Sequence, residues 1–158
     1  MKTRLSEHFA LSEFTRSETA ERHHIDNSLD PATEQGKAVT GNLRHICQTI
    51  LEPLREHTGC PIIISSGYRC PELNRLVGGA ANSQHLTGEA VDIVPGQKSE
   101  DGGLKSRDEW LTEAFLWLQD NTRFDQLILE TNGTSKWIHV SLRQNDVFNR
   151  QKVLLLRK

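Results

Sequence analysis

Two strand-like runs, F-D-Q-L-I-L-E and K-W-I-H-V-S-L, stand on either side of T-N-G-T-S. Asparagine followed by glycine between alternating apolar residues is a strong short-range hairpin signal, because both residues tolerate positive φ. The pattern predicts strands over residues 124–130 and 136–142, with the turn at Asn132-Gly133. Side chains alternate along a strand, so Ile138 and Val140 point into a core while Trp137 and His139 share the other face. Gln126, Ile128 and Glu130 fall on that same face of the hairpin. A histidine set among apolar residues on a strand calls for an explanation.

A second phrase, S-Q-H-L-T-G-E-A-V-D at residues 83–92, offers one. His85 and Asp92 can stand on either side of a tight reversal, with Gly88 free to adopt positive φ. Ala90 lies on the face of Asp92 and is small enough to leave room beside an ion. Two histidines and one carboxylate are the donor set of a catalytic zinc site with its fourth position open to water. Glu130 then lies near enough to serve as a general base. Paired polar side chains would satisfy the same residue types, so at this level both readings stay open. His8, His23, His24, His45 and His57 have no such setting and read as ordinary polar residues.

The rest of the chain is scaffold. Residues 1–28 read as a packing arm, with Ser12 and Ser17 as helix caps and Phe9, Leu11 and Phe14 as apolar anchors. Asp30-Pro31 is expected to open the longest helix, with Val39, Leu43, Ile46, Cys47, Ile50, Leu51 and Leu54 on its buried face. Pro53 should kink that helix or shift its last turn, and Gly59 should end it. Residues 61–66 (PIIISS) read as a buried strand, 71–77 as a short helix closed by Gly78-Gly79, and 90–94 as another strand. Residues 95–105 are polar and glycine-rich and read as a mobile loop. Ser106 and Glu109 have capping-box spacing for a helix over 106–120, with Trp110, Leu111, Ala114, Phe115 and Leu118 on its apolar face. Residues 153–156 can add a last strand. The sum is one α+β domain over 1–158, with helices packed on one face of a mostly antiparallel sheet.

Composition narrows the function classes. With 35% hydrophobic and 25% charged residues and a net charge of −2, the chain is a globular type with no electrostatic case for nucleic acid or an anionic membrane. No apolar run approaches the roughly 20 residues that span a bilayer, and no secretory leader is evident. The expected place of synthesis is the cytoplasm, and the expected state is a monomer. The three cysteines exclude a four-cysteine zinc site. Cys60 and Cys70 flank one strand and could approach each other, but the odd count argues against a disulfide framework.

The phrase at 83–92 resembles the S-x-H-x-x-G-x-A-x-D signature of the zinc D-Ala-D-Ala carboxypeptidase family, which includes phage endolysin peptidases. Q-L-I-L-E…W-I-H-V-S is similar to that family's second motif. S-G-Y-R at 66–69 and N-R-L-V-G-G at 74–79 resemble its upstream element, and F-x-L-S-E-F and L-E-P-L-R resemble a carboxypeptidase-type subgroup. The resemblance implies a Hedgehog/DD-peptidase-like fold and one Zn²⁺ held by His85, Asp92 and His139. It implies Arg69 as the group that binds a substrate oxygen, and Glu130 as the base. Ser83, Gln126 and Trp137, with Arg69, are expected to line the substrate site. The substrate implied is the peptide stem of peptidoglycan, cut by a carboxypeptidase or an endopeptidase. An enzyme of this kind without a leader would reach the wall by lysis, as phage endolysins do. One departure stands out: some members place the base in E-x-x-H, whereas here Lys136 occupies that spacing before His139. The rival is a zinc-binding or wall-binding module without catalysis, since Hedgehog-type domains of similar fold hold zinc without obvious peptidase work.

Overall fold

The computed structural model describes residues 2–96 and 106–158; the expected loop at 95–105 falls mostly outside them. Two short helices, α1 (Ser12–Thr15) and α2 (Glu18–Arg22), form the N-terminal arm. Ser17 caps α2 by accepting from the Ala20 N–H. Ser12, expected to cap α1, lies inside it. The local donor Ala10 N–H is taken by the Glu13 carboxylate at 2.7 Å. Phe9, Leu11 and Phe14 are buried as the sequence predicts.

The long helix begins later than expected, as α3 (Glu34–Ile46). Thr33 is its cap, with Oγ1 accepting from Gly36 N–H, while Asp30 spends its carboxylate on a local turn to Ala32 N–H. Pro53 has no N–H to give the helical ladder. The chain responds by widening to a π-helical turn over Cys47–Leu51, in which Glu52 N–H reaches back to Cys47 O. It resumes as α4 (Glu52–Thr58), where Pro53 sits harmlessly in the first turn. Gly59 then closes the helix at φ 64°. The whole predicted stripe from Val39 to Leu54 is buried.

Five strands follow the order β1-β2-β4-β3-β5: β1 (Ile62–Ser66), β2 (Ala90–Pro95), β3 (Gln126–Asn132), β4 (Ser135–Ser141) and β5 (Lys152–Arg157). All pairs are antiparallel except β3 with β5. Between them lie α5 (Pro71–Leu76) and α6 (Arg107–Asn121). Ser106 caps α6 by accepting from Glu109 N–H, and its five predicted apolar residues are buried. The core faces of β2, β3 and β4, with Val91, Ile93, Leu127, Ile138 and Val140, pack with α3, α4 and α6 into one apolar cluster. The architecture is α+β, with a mostly antiparallel sheet. Two details differ from expectation. β1 is not buried throughout, because Ile63 is 42% exposed. The hairpin turn is Gly133-Thr134, since Asn132 still pairs with Ser135. The shift from Asn132-Gly133 moves the register by two and so leaves every side chain on its predicted face.

The turn before β2 carries the tightest backbone requirement. Gly88 has φ 76°, and a Cβ there would lie 2.8 Å from Val39 Cγ1 and 2.9 Å from Val39 O. Replacing Gly88 by alanine therefore adds left-handed strain to a clash with α3. The expected loss is about 1–3 kcal/mol of stability, measured as a lower urea midpoint at unchanged slope.

Candidate metal centre

Register places one row of residues across the exposed face of the sheet: Ser66, Asp92, His139 and Ile128 are successive partners on β1, β2, β4 and β3. Regular alternation would send Ser66 to the core with Ile62 and Ile64. A bulge between Ile64 and Ser66 puts two residues of β1 against one of β2 and brings Ser66 to the Asp92 face. His85 joins from a short 3₁₀ turn, Gln84–Thr87, capped by Ser83 Oγ on His85 N–H.

His85, Asp92 and His139 offer ligand atoms that all lie within 4.8 Å of one another. His85 Nδ1 is 2.7 Å from the Gly67 carbonyl, which can only accept, so Nδ1 carries the proton. Nε2 is then the ring nitrogen left to face the cluster. It lies 3.3 Å from Asp92 Oδ1, and it is a buried nitrogen without a hydrogen-bond partner. His139 Nδ1 approaches the same oxygen at 2.9 Å. A tetrahedral ion with bonds of about 2.0–2.1 Å spaces its ligands by roughly 3.3 Å. The donor set, the orphaned nitrogen and the spacing all fit a divalent cation. Burial by itself raises the Asp92 carboxyl, but the two imidazoles outweigh it and hold the group well below the usual carboxylate range.

Arg69 stands beside the trio. Nε donates to Ser66 Oγ at 3.1 Å and Nη1 to Asn74 Oδ1 at 3.2 Å, while Nη2 is 3.6 Å from Asp92 Oδ2. Burial lowers its pKa, and the charges of Asp92 and Glu130 oppose that shift. Asn74 is itself buried and donates to Ala80 O. Gly79 must lack a side chain, because a Cβ would fall 2.1 Å from Asn74 Oδ1. The N-terminal arm backs this segment. Tyr68 N–H donates to Phe14 O, and Asn27 ties Thr15 O and Tyr68 O to Cys70 N–H. Asn27, Asn74 and the Gly67 carbonyl escape sequence reasoning, although Gly67 and Asn74 fall inside phrases that drew notice.

These groups open on a cleft of about 310 Å³ lined by Arg69, Ser83, His85, Asp92, Glu130, Trp137 and His139 among others. Gln126, expected in the same set, lies in an adjoining hollow beyond His139. Glu130 sits opposite Trp137 in the hairpin, and both are half-buried. The other histidines have ordinary partners or settings: His8 meets Glu52 at 2.8 Å and His57 stacks on Trp117. Cys47, Cys60 and Cys70 form no disulfide with one another, and burial pushes the Cys47 thiol up to about 12. A larger hollow of about 600 Å³ beside His8 and Glu52 shares no residue with this cleft. No helix among the described residues is long and apolar enough to cross a membrane.

A helix-backed sheet with a two-histidine, one-aspartate cluster in an arginine-bearing cleft is the make-up of a metallohydrolase. A family model described as Peptidase M15 matches residues 7–141, and the chain belongs to that family, whose members are metallopeptidases. No curated protein matches the chain.

At the cleft margin, Asp125 is fully buried and bound by Arg150 at 2.9 and 2.8 Å and by Gln84, the neighbour of His85, at 3.0 Å. The Arg150 hydrogen bonds, opposed by burial, lower its carboxyl to about 2. Because the folded value lies below the unfolded one, this stabilisation is fully present above the unfolded pKa and disappears as pH falls through about 2. Arg150 is half-exposed, so screening leaves on the order of 1–2 kcal/mol. Acid titration of wild type against Asp125→Asn should show the wild type losing that margin between pH 4 and 2, with the variant's stability flat over the same window.

Proposed function

We propose that the protein is a zinc-dependent peptidase that hydrolyses an amide bond in the peptide stems of bacterial peptidoglycan. The observation that carries this reading is the unpartnered His85 Nε2, left facing Asp92 and His139 because Nδ1 is engaged by the Gly67 carbonyl, in a cleft that also holds Arg69 and Glu130. Family membership supports the peptidase part. Zinc, the wall substrate and the individual roles are this proposal's own.

In this reading His85, Asp92 and His139 are the three protein ligands. Zn²⁺, when bound, supplies a Lewis acid and makes water acidic enough to attack near neutral pH. Glu130 accepts the proton of the attacking water and returns it to the leaving nitrogen. Its carboxylate stands on β3, across the hairpin from Trp137, so it takes the place that an E-x-x-H glutamate would have filled and that Lys136 does not. Arg69 steadies the negative charge that develops on the carbonyl oxygen. Its fork is held by Ser66 and Asn74, so little is spent on orienting it at the moment of reaction. Trp137 and Ser83 shape the cleft wall. Ser83 has its hydroxyl engaged as the cap of the His85 turn, and its contribution to substrate is steric.

Mass spectrometry of peptidoglycan treated with the metal-stripped protein, and again after one equivalent of zinc, tests the reading directly. New stem-peptide ends should appear only with zinc. Binding of zinc without cleavage across several wall types would instead support a non-catalytic module. Two variants separate the roles. Glu130→Gln should retain one zinc by metal analysis and lose turnover. Arg69→Ala should also retain zinc but turn over roughly 10²–10³-fold more slowly, the usual cost of one oxyanion donor. His85→Ala should lose both metal and activity.

A further inference from the structure

Beyond His139 and Glu130 the cleft widens into a second hollow of about 420 Å³, whose walls include Gln126, Arg143 and Arg150. The two arginines are not equivalent. Arg150 binds Asp125 with both Nε and Nη2. Arg150 N–H and Gln84 Nε2 bind the same carboxylate, so four donors fill it. Arg143 is surplus to that arrangement. Its Nε stands 3.7 Å from Asp125 Oδ2 and its Nη1 3.7 Å from Glu89 Oε2, too far for hydrogen bonds. Among the described residues no acceptor bonds its guanidinium.

The backbone of Arg143 is nevertheless clamped. Arg143 N–H donates to Asn149 Oδ1 at 2.9 Å and Asn149 Nδ2 donates to Arg143 O at 3.1 Å, with Asn149 almost fully buried. A five-donor fork is thus carried on a fixed main chain, on the wall of the hollow that shares Ser83, Glu130 and His139 with the metal cleft, with none of its donors at hydrogen-bonding distance from an acceptor among the described residues. An arginine kept only to neutralise Asp125 would be redundant, because Arg150 and Gln84 already satisfy that carboxylate, and the Glu89 and Asp125 carboxylates hold Arg143 as ion pairs at 3.7 Å without taking up its donors. Guanidinium donors in a fixed plane match a carboxylate bidentately, and the Gln126 amide on the same wall adds a neutral donor.

We propose that Arg143 is a specificity residue that binds a carboxylate on the part of the substrate lying past His139, so that the favoured substrate is an acidic peptide with a free carboxylate near the scissile amide. The inference rests on the peptidase reading above and adds to it a subsite on the side of the metal away from Arg69.

The test uses synthetic stem peptides in matched pairs, identical except that one acidic residue carries its carboxylate free or as the carboxamide. Zinc-loaded wild type, Arg143→Gln and Arg143→Lys are compared, with zinc content as the check on folding. Wild type should prefer the free carboxylate roughly tenfold in kcat/KM, mainly through KM, the scale of one charge-assisted hydrogen bond. Arg143→Gln should bring that ratio close to one, and Arg143→Lys, which keeps the charge but not the fork, should fall between. A ratio near one in wild type, or the same ratio in Arg143→Gln, overturns the proposal. If no peptide is cut, the peptidase reading has failed and calorimetric binding of the same pairs decides. A carboxylate preference lost in Arg143→Gln still supports the subsite, and equal or absent binding removes it.

Discussion

The hydrogen bond from His85 Nδ1 to the Gly67 carbonyl is the contact on which the site turns. A neutral imidazole has one N–H, and committing it to a main-chain oxygen leaves the other nitrogen as an acceptor. That nitrogen faces a carboxylate oxygen at 3.3 Å. A ring nitrogen and a carboxylate oxygen buried at that distance need a cation between them, a proton or a metal ion. Much of the surrounding structure serves to keep His85 in place. Arg69 N–H bonds to His85 O, and Gly67 and Tyr68 are backed by Phe14. The arm that looked like a packing accessory is thus two contacts away from a candidate metal ligand.

Asp92 plays the complementary part from the sheet. Its register with Ser66 on one side and His139 on the other aligns three functional side chains across three strands. The β1 bulge is what admits Ser66 to that row, and Ser66 in turn holds Arg69. A rigid sheet thus places Asp92 and His139, while the looser 3₁₀ turn places His85 and is stiffened by Gly88, Ser83 and the Asn42 amide on Thr87 O. Sites built on regular elements with a hydrogen-bonded outer layer hold their geometry well. The cleft beyond is asymmetric, with Arg69 on one flank of the trio and Arg143 and Arg150 on the other.

Much of this was legible in the residues. The α6 cap and its apolar face, the β3–β4 hairpin with His139 outward, and Gly88 at positive φ all follow from local rules that act over a few residues. The misses have local causes too. Asp30 looked like a helix cap, but an aspartate two residues before Ala32 can spend its carboxylate on its own turn, and Thr33 stood free to cap instead. Pro53 predicted a kink or a shifted last turn; the chain met the missing N–H with a π-helical turn, a form the apolar spacing does not specify. Ile63 reads like its neighbours Ile62 and Ile64, yet alternation turns it to the opposite face of the sheet, where it is 42% exposed.

What the sequence determined by itself was therefore short-range: which segments form helices and strands, which faces they bury, and which residue types could ligate a metal. Those properties depend on periodicity, capping and side-chain chemistry within a few turns of chain. Only the tertiary structure decided that Ser66 joins Asp92 and His139 through a bulge, that a main-chain carbonyl selects the His85 tautomer, and that Asn27 and Asn74 brace the arginine segment. It also separated Gln126 from the first cleft and, among the described residues, left the Arg143 guanidinium with ion pairs but no hydrogen-bonded acceptor. These are relations between segments far apart in the chain, set by strand register and helix packing, and no local pattern of residues records them.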